Sequence, residues 1–222
     1  MVQRAYVALG DSVTAGKGDS YESGQATGWA RRLCTLLAER TGLAFSFTNL
    51  AANRATMADI LASQLPAAQA ARPDLITVAV GMNDIRGTFD PDQFARQVAT
   101  VLDGATETGA TVATMTLPDI VALLRLPAEL HDAARQLMEQ ANDAIRGAAR
   151  DREVLYVDAW LAPETQDPTF WSDDRLHPSA RGHQIIAEAF ADLLMSSSPL
   201  GCPDLVQQLL TPPEDLARRE GT

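Results

Sequence analysis

Cysteine, histidine and aromatic residues are scarce in this 222-residue chain. The two cysteines, Cys34 and Cys202, form no Cys-x-x-Cys and no Cys/His ligand spacing, which argues against a structural zinc site. Each reads as a small buried hydrophobe, and nothing in the sequence argues for a disulfide between them. Only three histidines, His131, His177 and His183, are available for imidazole chemistry. Positive charge is also short: 18 Lys and Arg against 29 Asp and Glu give a formal net charge of −11. Such a surface repels nucleic-acid backbones and anionic membranes, so neither is an expected partner. No apolar run approaches the ~20 residues of a membrane span. Strand-like sequence begins by Arg4, leaving no room for the charged segment and apolar core of a signal peptide, so a cytoplasmic protein is the default expectation.

What is present is a full hydrophobic complement, 46% of residues, enough for one domain with a complete core. Apolar, β-branched runs recur at 5–9, 45–50, 75–80, 111–117 and 153–158. Between them lie stretches with helical spacing at 29–40, 91–106, 128–150 and 179–195. Asp90 before Pro91 is a good N-cap followed by Pro at the first helical position. Strand then helix, repeated, predicts an α/β fold whose parallel sheet is covered on both faces. The pattern predicts one domain over residues 1–195. Residues 196–222, opening on SSSPLGCP, read as a linker plus short packing helices without chemistry.

The stretch VALGDSVTAGKGD (7–19) carries glycines, a serine and a lysine at the exit of the first apolar run. It is not a phosphate loop: Gly10 and Gly16 enclose five residues rather than four, and Lys17 is followed by Gly18 instead of a hydroxyl. No Gly-x-Gly-x-x-Gly follows the run either. The remaining reading puts Ser12 at the C-terminal edge of the sheet, where open α/β sheets place their ligands, near the start of the next helix, whose N-terminus would favour a developing negative charge.

A serine nucleophile needs a base, an orienting carboxylate and oxyanion donors. VAVGMND ends on Asn83 and Asp84 just past the third run, and Asn83 can offer a side-chain N–H, although Gly-x-Asn-Asp is also ordinary turn chemistry. DDRLHPSARGH places Asp174 three residues before His177, so one tight loop can bring carboxylate to imidazole; Asp173 competes for that role, and geometry favours Asp174. His131 reads as solvated and His183 as a packing or surface residue. Two histidines six apart on a helix share no face and make a poor metal pair. TNLAANRAT, after the second run, can supply a backbone N–H.

Gly10-Asp11-Ser12, Gly81-x-Asn83-Asp84 and Asp174-x-x-His177, in that order, resemble the SGNH (GDSL) hydrolase family over roughly residues 6–194. The resemblance implies a flavodoxin-like three-layer α/β/α sandwich with a five-stranded parallel sheet. It implies ester or thioester hydrolysis through a serine acyl-enzyme, with no metal and no cofactor. Ser12 would be the nucleophile, His177 the base and Asp174 its orienter; the oxyanion donors would be the Ser12 N–H, the Asn83 side chain and the Arg54 N–H. Arg54 stands where the family has glycine, and its side chain would sit at the mouth of the site, either binding a substrate carboxylate or obstructing access. Within LPDIVALLRLP (117–127), Ile120 and Val121 would suit an acyl chain, or pack on the core as part of an amphipathic helix. The rivals to hydrolysis are acyl transfer from the same acyl-enzyme and a non-catalytic binding module on the same fold.

Overall fold

The apolar runs become five parallel strands in a computed structural model that describes residues 3–19, 27–123 and 126–196. They are β1 (Gln3–Gly10), β2 (Ala44–Asn49), β3 (Leu75–Ala79), β4 (Thr111–Met115) and β5 (Leu155–Val157), arranged β2-β1-β3-β4-β5. Every residue of β3 is buried, as expected of a central strand covered on both faces. The edge strand β2 alternates between exposed and half-buried residues.

The helices are α1 (Gly28–Thr41), α2 (Met57–Asp59), α3 (Leu65–Ala71), α4 (Met82–Ile85), α5 (Pro91–Thr106), α6 (His131–Asp151) and α7 (Ala180–Ser196). A π-helical turn, Ile60–Gln64, joins α2 to α3. Helices α1 and α7 pack together, with Trp29 stacked on Phe190 at 4.7 Å; α3, α5 and α6 form a second group, and the sheet lies between the two. This is the expected α/β/α sandwich.

Local chemistry sets the ends. The Asp90 carboxylate accepts from the Gln93 N–H at 2.9 Å, capping α5 as its sequence foretold. Helix α6 starts at His131, after a 3₁₀ turn at Ala128–Leu130, rather than at 128. Strand β5 keeps only three of the six residues in its apolar run, because only Ala113–Met115 of β4 pairs with it. Cys34 is buried and has no disulfide partner among the described residues. The predicted tail, with Cys202, lies outside the described residues.

The connection order fixes where a site can form. After β1 the chain adds β2 on one side, then β3 on the other, so the order reverses between β1 and β3. Crevices at that reversal, outside the carboxyl ends of the strands, are where such sheets bind ligands. Ser12 follows β1 and Asn83 follows β3.

Candidate active site

Ser12 does not open a helix. Residues 12–18 form turns, with Ala15 N–H donating to Asp11 O and Lys17 N–H to Ser12 O, both at 2.9 Å. Gly16 and Gly18 then take φ of 92° and 94°, which ends the turn, and α1 begins only at Gly28. The expected helix N-terminus is therefore absent from the serine. Gly18 also permits close packing: a Cβ there would lie 2.3 Å from the Pro178 carbonyl oxygen and 2.9 Å from the His177 Cβ. The first turn thus seats directly against the histidine loop.

That loop is built around the Asp174 carboxylate. Its Oδ1 accepts from the Leu176 and His177 N–H groups, each at 2.9 Å, and from the Ser172 hydroxyl at 3.0 Å. Arg175 sits at φ 53° to bring both amides onto one oxygen. Asp174 Oδ2 accepts from His177 Nδ1 at 2.6 Å. A carboxylate has no proton to give, so Nδ1 carries the hydrogen and Nε2 is left as acceptor. The Ser12 hydroxyl donates to that Nε2 at 2.9 Å, joining residues 165 apart. Burial would raise the Asp174 pKa, but the bonds from His177, Leu176 and Ser172 hold it well below the usual carboxylate range. It therefore stays ionised beside the imidazole. Asp173 is exposed and makes none of these contacts.

The other histidines lie apart. His183 is fully buried; its Nδ1 accepts from the Trp29 N–H at 3.1 Å and its Nε2 donates to Lys17 O at 3.0 Å. It ties the start of α1 to the serine turn, the packing role expected of it. His131 is half-buried rather than solvated, with Nε2 3.2 Å from Leu126 O, because the 3₁₀ turn folds back on the loop before it.

Asn83 Nδ2 donates to Ala55 O at 3.0 Å, and its second N–H leans on Asp11 Oδ2 at 3.4 Å, the weak limit of a hydrogen bond. Arg54, next to that carbonyl, has φ 66°. The arginine thus adopts the left-handed backbone that a glycine would take without strain, at a cost on the order of 1 kcal/mol. Its side chain is exposed. Neither the Ser12 nor the Arg54 N–H has an acceptor among the described residues.

Two spaces flank the loop. A groove of about 640 Å³ runs along Met82, Ile85, Leu123, Leu126 and Asp174. A second, mostly apolar space of about 320 Å³ is lined by Ile120, Leu176 and Pro178. Val121, expected beside Ile120 in a substrate site, is buried and lines neither space: the 3₁₀ turn Val121–Leu123 rotates it into the core.

Three residues support the site, of which only Gln64 lies outside the sequence blocks singled out above. Gln64, buried in the π-helical turn, clamps Gly10: its Oε1 accepts from the Gly10 N–H at 2.8 Å and its Nε2 donates to Gly10 O at 2.9 Å. Asp84 accepts from the Met57 N–H at 3.0 Å, tying the Asn83 turn to the start of α2. Asp11, buried beside Ser12, accepts from the Val13 N–H at 2.9 Å.

The sequence pattern of the GDSL-like Lipase/Acylhydrolase family matches residues 8–185, taking in all three blocks. The chain belongs to this family. The acylhydrolase is 25% identical over 197 residues to an acetylxylan esterase of Geobacillus stearothermophilus, covering 82% of this chain and 90% of the relative. Its fold is shared with TesA, at a TM-score of 0.70 and 22% identity over 86% of this chain and 98% of that one. A variant of Axe2, an acetyl-xylooligosaccharide esterase of Geobacillus, superposes with a TM-score of 0.70 at 22% identity, covering 86% of this chain and 93% of that one. The psychrotrophic esterase EstA of Pseudoalteromonas, in a structure inhibited by monoethylphosphonate, gives 0.67 at 15% identity, over 86% and 96%. No helix among the acylhydrolase's described residues is long and apolar enough to cross a membrane.

Burial pushes the Asp11 carboxyl of this acylhydrolase up to about 6, against the pull of the Val13 N–H bond and with help from nearby Asp84. The unfolded chain releases this proton near pH 4, whereas the fold keeps it to about pH 6. The stability that Asp11 contributes is therefore lost as pH rises through that window, in total about 3 kcal/mol. Asp11→Asn keeps the Val13 bond and removes the titration. Its melting temperature should exceed that of the wild type by several degrees at pH 7.5, and the gap should close by pH 4. Thermal melts across pH test this; a gap constant with pH would refute it.

Proposed function

We propose that this acylhydrolase cleaves a carboxylic ester or thioester through an acyl-enzyme on Ser12. The single supporting observation is the unbroken chain from hydroxyl to imidazole to carboxylate, at 2.9 and 2.6 Å. Ser12 Oγ attacks the carbonyl carbon as its proton passes to His177 Nε2, and the ionised Asp174 stabilises the resulting imidazolium. The tetrahedral oxyanion takes N–H bonds from Ser12, Arg54 and Asn83. Collapse breaks the ester bond, and Nε2 returns the proton to the departing alcohol or thiol. Water then loses a proton to Nε2, attacks the acyl-enzyme and frees the acid.

Asn83 is the donor that can be removed without touching the backbone. Asn83→Ala should lower kcat about a hundred- to a thousandfold, or about 2.7–4 kcal/mol in the barrier, with KM little changed. Steady-state kinetics on a short activated ester check this; an unchanged kcat would remove Asn83 from the oxyanion site. A phosphonate, the class of inhibitor seen on EstA, tests the whole reading: it should label one residue, Ser12, and abolish hydrolysis in step. Mass spectrometry showing loss of activity with Ser12 unmodified would overturn the proposal. Product analysis with added alcohol separates hydrolysis from acyl transfer.

A further inference from the structure

We propose that Asp11 is a positioning residue for the reaction: its carboxylate acts through Asn83, holding that side chain's amide in the direction the developing oxyanion needs. The inference rests on the acyl-enzyme reading, in which Asn83 donates to the oxyanion, and adds the group that aims the donor.

The two oxygens of the Asp11 carboxylate, buried beside Ser12, face different neighbours. Oδ1 accepts from the Val13 N–H at 2.9 Å, a turn bond that an asparagine makes as readily. Oδ2 faces Asn83 Nδ2 at 3.4 Å. With asparagine at residue 11, one neighbour would meet an NH₂ group, donor against donor. Only a carboxylate accepts from both. The need for an acid here therefore comes from Asn83 and not from the turn.

The Asn83 amide is half-buried and has one firm bond, from Nδ2 to Ala55 O at 3.0 Å. A single bond fixes where the nitrogen sits but lets the amide plane swing about it. The backbone is secured separately, because Asp84 is tied to the Met57 N–H at 3.0 Å. What is left for Asp11 to set is the direction of the second N–H. At 3.4 Å that contact is weak enough to share. A charged substrate oxygen draws the same hydrogen into a shorter bond, while Oδ2 keeps the amide from turning away.

The acid is held at a cost to the fold. Burial and the neighbouring charge of Asp84, on α4, push its carboxyl up to about 6, so at neutral pH an ionised group sits where ionisation is disfavoured. A neutral residue would make the turn bond and be more stable. A buried group that lowers stability and whose structural bond is replaceable is the pattern of a functional residue.

The test is steady-state kinetics on a short activated ester at pH 7.5, with thermal melts, for wild type, Asp11→Asn, Asn83→Ala and the double variant. Asp11→Asn should lower kcat about tenfold through misdirection of the donor, with KM within about twofold. It should do so while melting above the wild type; a residue that only braced the turn would lose stability together with activity. In the Asn83→Ala background, adding Asp11→Asn should change kcat by less than about twofold, because the amide it aims is gone. An unchanged kcat in Asp11→Asn, or the same loss with and without Asn83, overturns the proposal and leaves the acyl-enzyme standing. An unchanged kcat in Asn83→Ala overturns the oxyanion role of Asn83 and this proposal with it. Should Asp11→Asn fail to fold, Asp11→Ser decides: its hydroxyl can accept from the Val13 N–H but is too short to reach Asn83, so the same kcat loss, absent without Asn83, is expected.

Discussion

Ser12→Ala should reduce kcat by about a million-fold while leaving the fold intact, the scale seen when a serine nucleophile or its histidine is removed. Among the described residues the hydroxyl makes one hydrogen bond, 2.9 Å to His177 Nε2, from a half-buried position, so its loss should cost the fold little. In the proposed mechanism it carries the atom that becomes acylated, so no neighbour can replace it. His177→Ala should fall as far, because an unactivated serine is a weak nucleophile at neutral pH. The double variant should fall no further, since the two act as one unit and their effects do not add. What remains would come from oxyanion donors and substrate binding, which still outperform water. Single-turnover kinetics and thermal melts on the three variants check this. A Ser12→Ala protein retaining more than about a thousandth of the wild-type rate, free of contaminating esterase, would end the acyl-enzyme mechanism.

Asp174→Asn should lower kcat about ten-thousandfold through the wrong tautomer of His177. Three donors converge on Asp174 Oδ1: the Leu176 N–H, the His177 N–H and the Ser172 hydroxyl. An asparagine must keep its carbonyl oxygen on them, which turns its NH₂ toward His177 Nδ1. Nδ1 must then accept, the hydrogen moves to Nε2, and Nε2 can no longer take the serine proton. The side chain is 45% exposed, so solvent screens part of the ionic contribution, but the tautomer is set by hydrogen-bond geometry and not by charge. Asp173→Asn, one residue away and outside the network, should stay within about threefold of the wild type, as an exposed side chain clear of the reacting atoms should. Equal losses in both variants would mean that the loop's charge, not one carboxylate's bonds, supports the imidazole.

Much of the site is legible in the chain because its parts sit at the ends of recognisable elements. Ser12 and Asn83 directly follow β1 and β3, and the Asp174–His177 spacing is short enough for one loop to satisfy. The helix expected at Ser12 was not found, because Gly16 and Gly18 could be read as flexibility but not as left-handed turns that stop a helix. Val121 could be read from the sequence either as acyl-chain lining or as packing on the core; it packs in the core, through a 3₁₀ turn whose period differs from the helix expected there.

Sequence alone determined the alternation of strand and helix, the parallel sheet and the absence of metal-ligand spacing, and it singled out the serine, histidine and carboxylate that the fold brings into hydrogen-bond contact. These follow from periodicity and from chemistry confined to a few adjacent residues. Only the tertiary structure decided that Gln64 clamps Gly10 across 54 positions, that Arg54 takes a glycine's backbone, that Asp11 is buried beside Ser12, and that chain neighbours of Ser12 and His177 line one apolar space. Each of these depends on which distant groups share a space, and burial and hydrogen-bond partners at such separations leave no mark in the local pattern of residues.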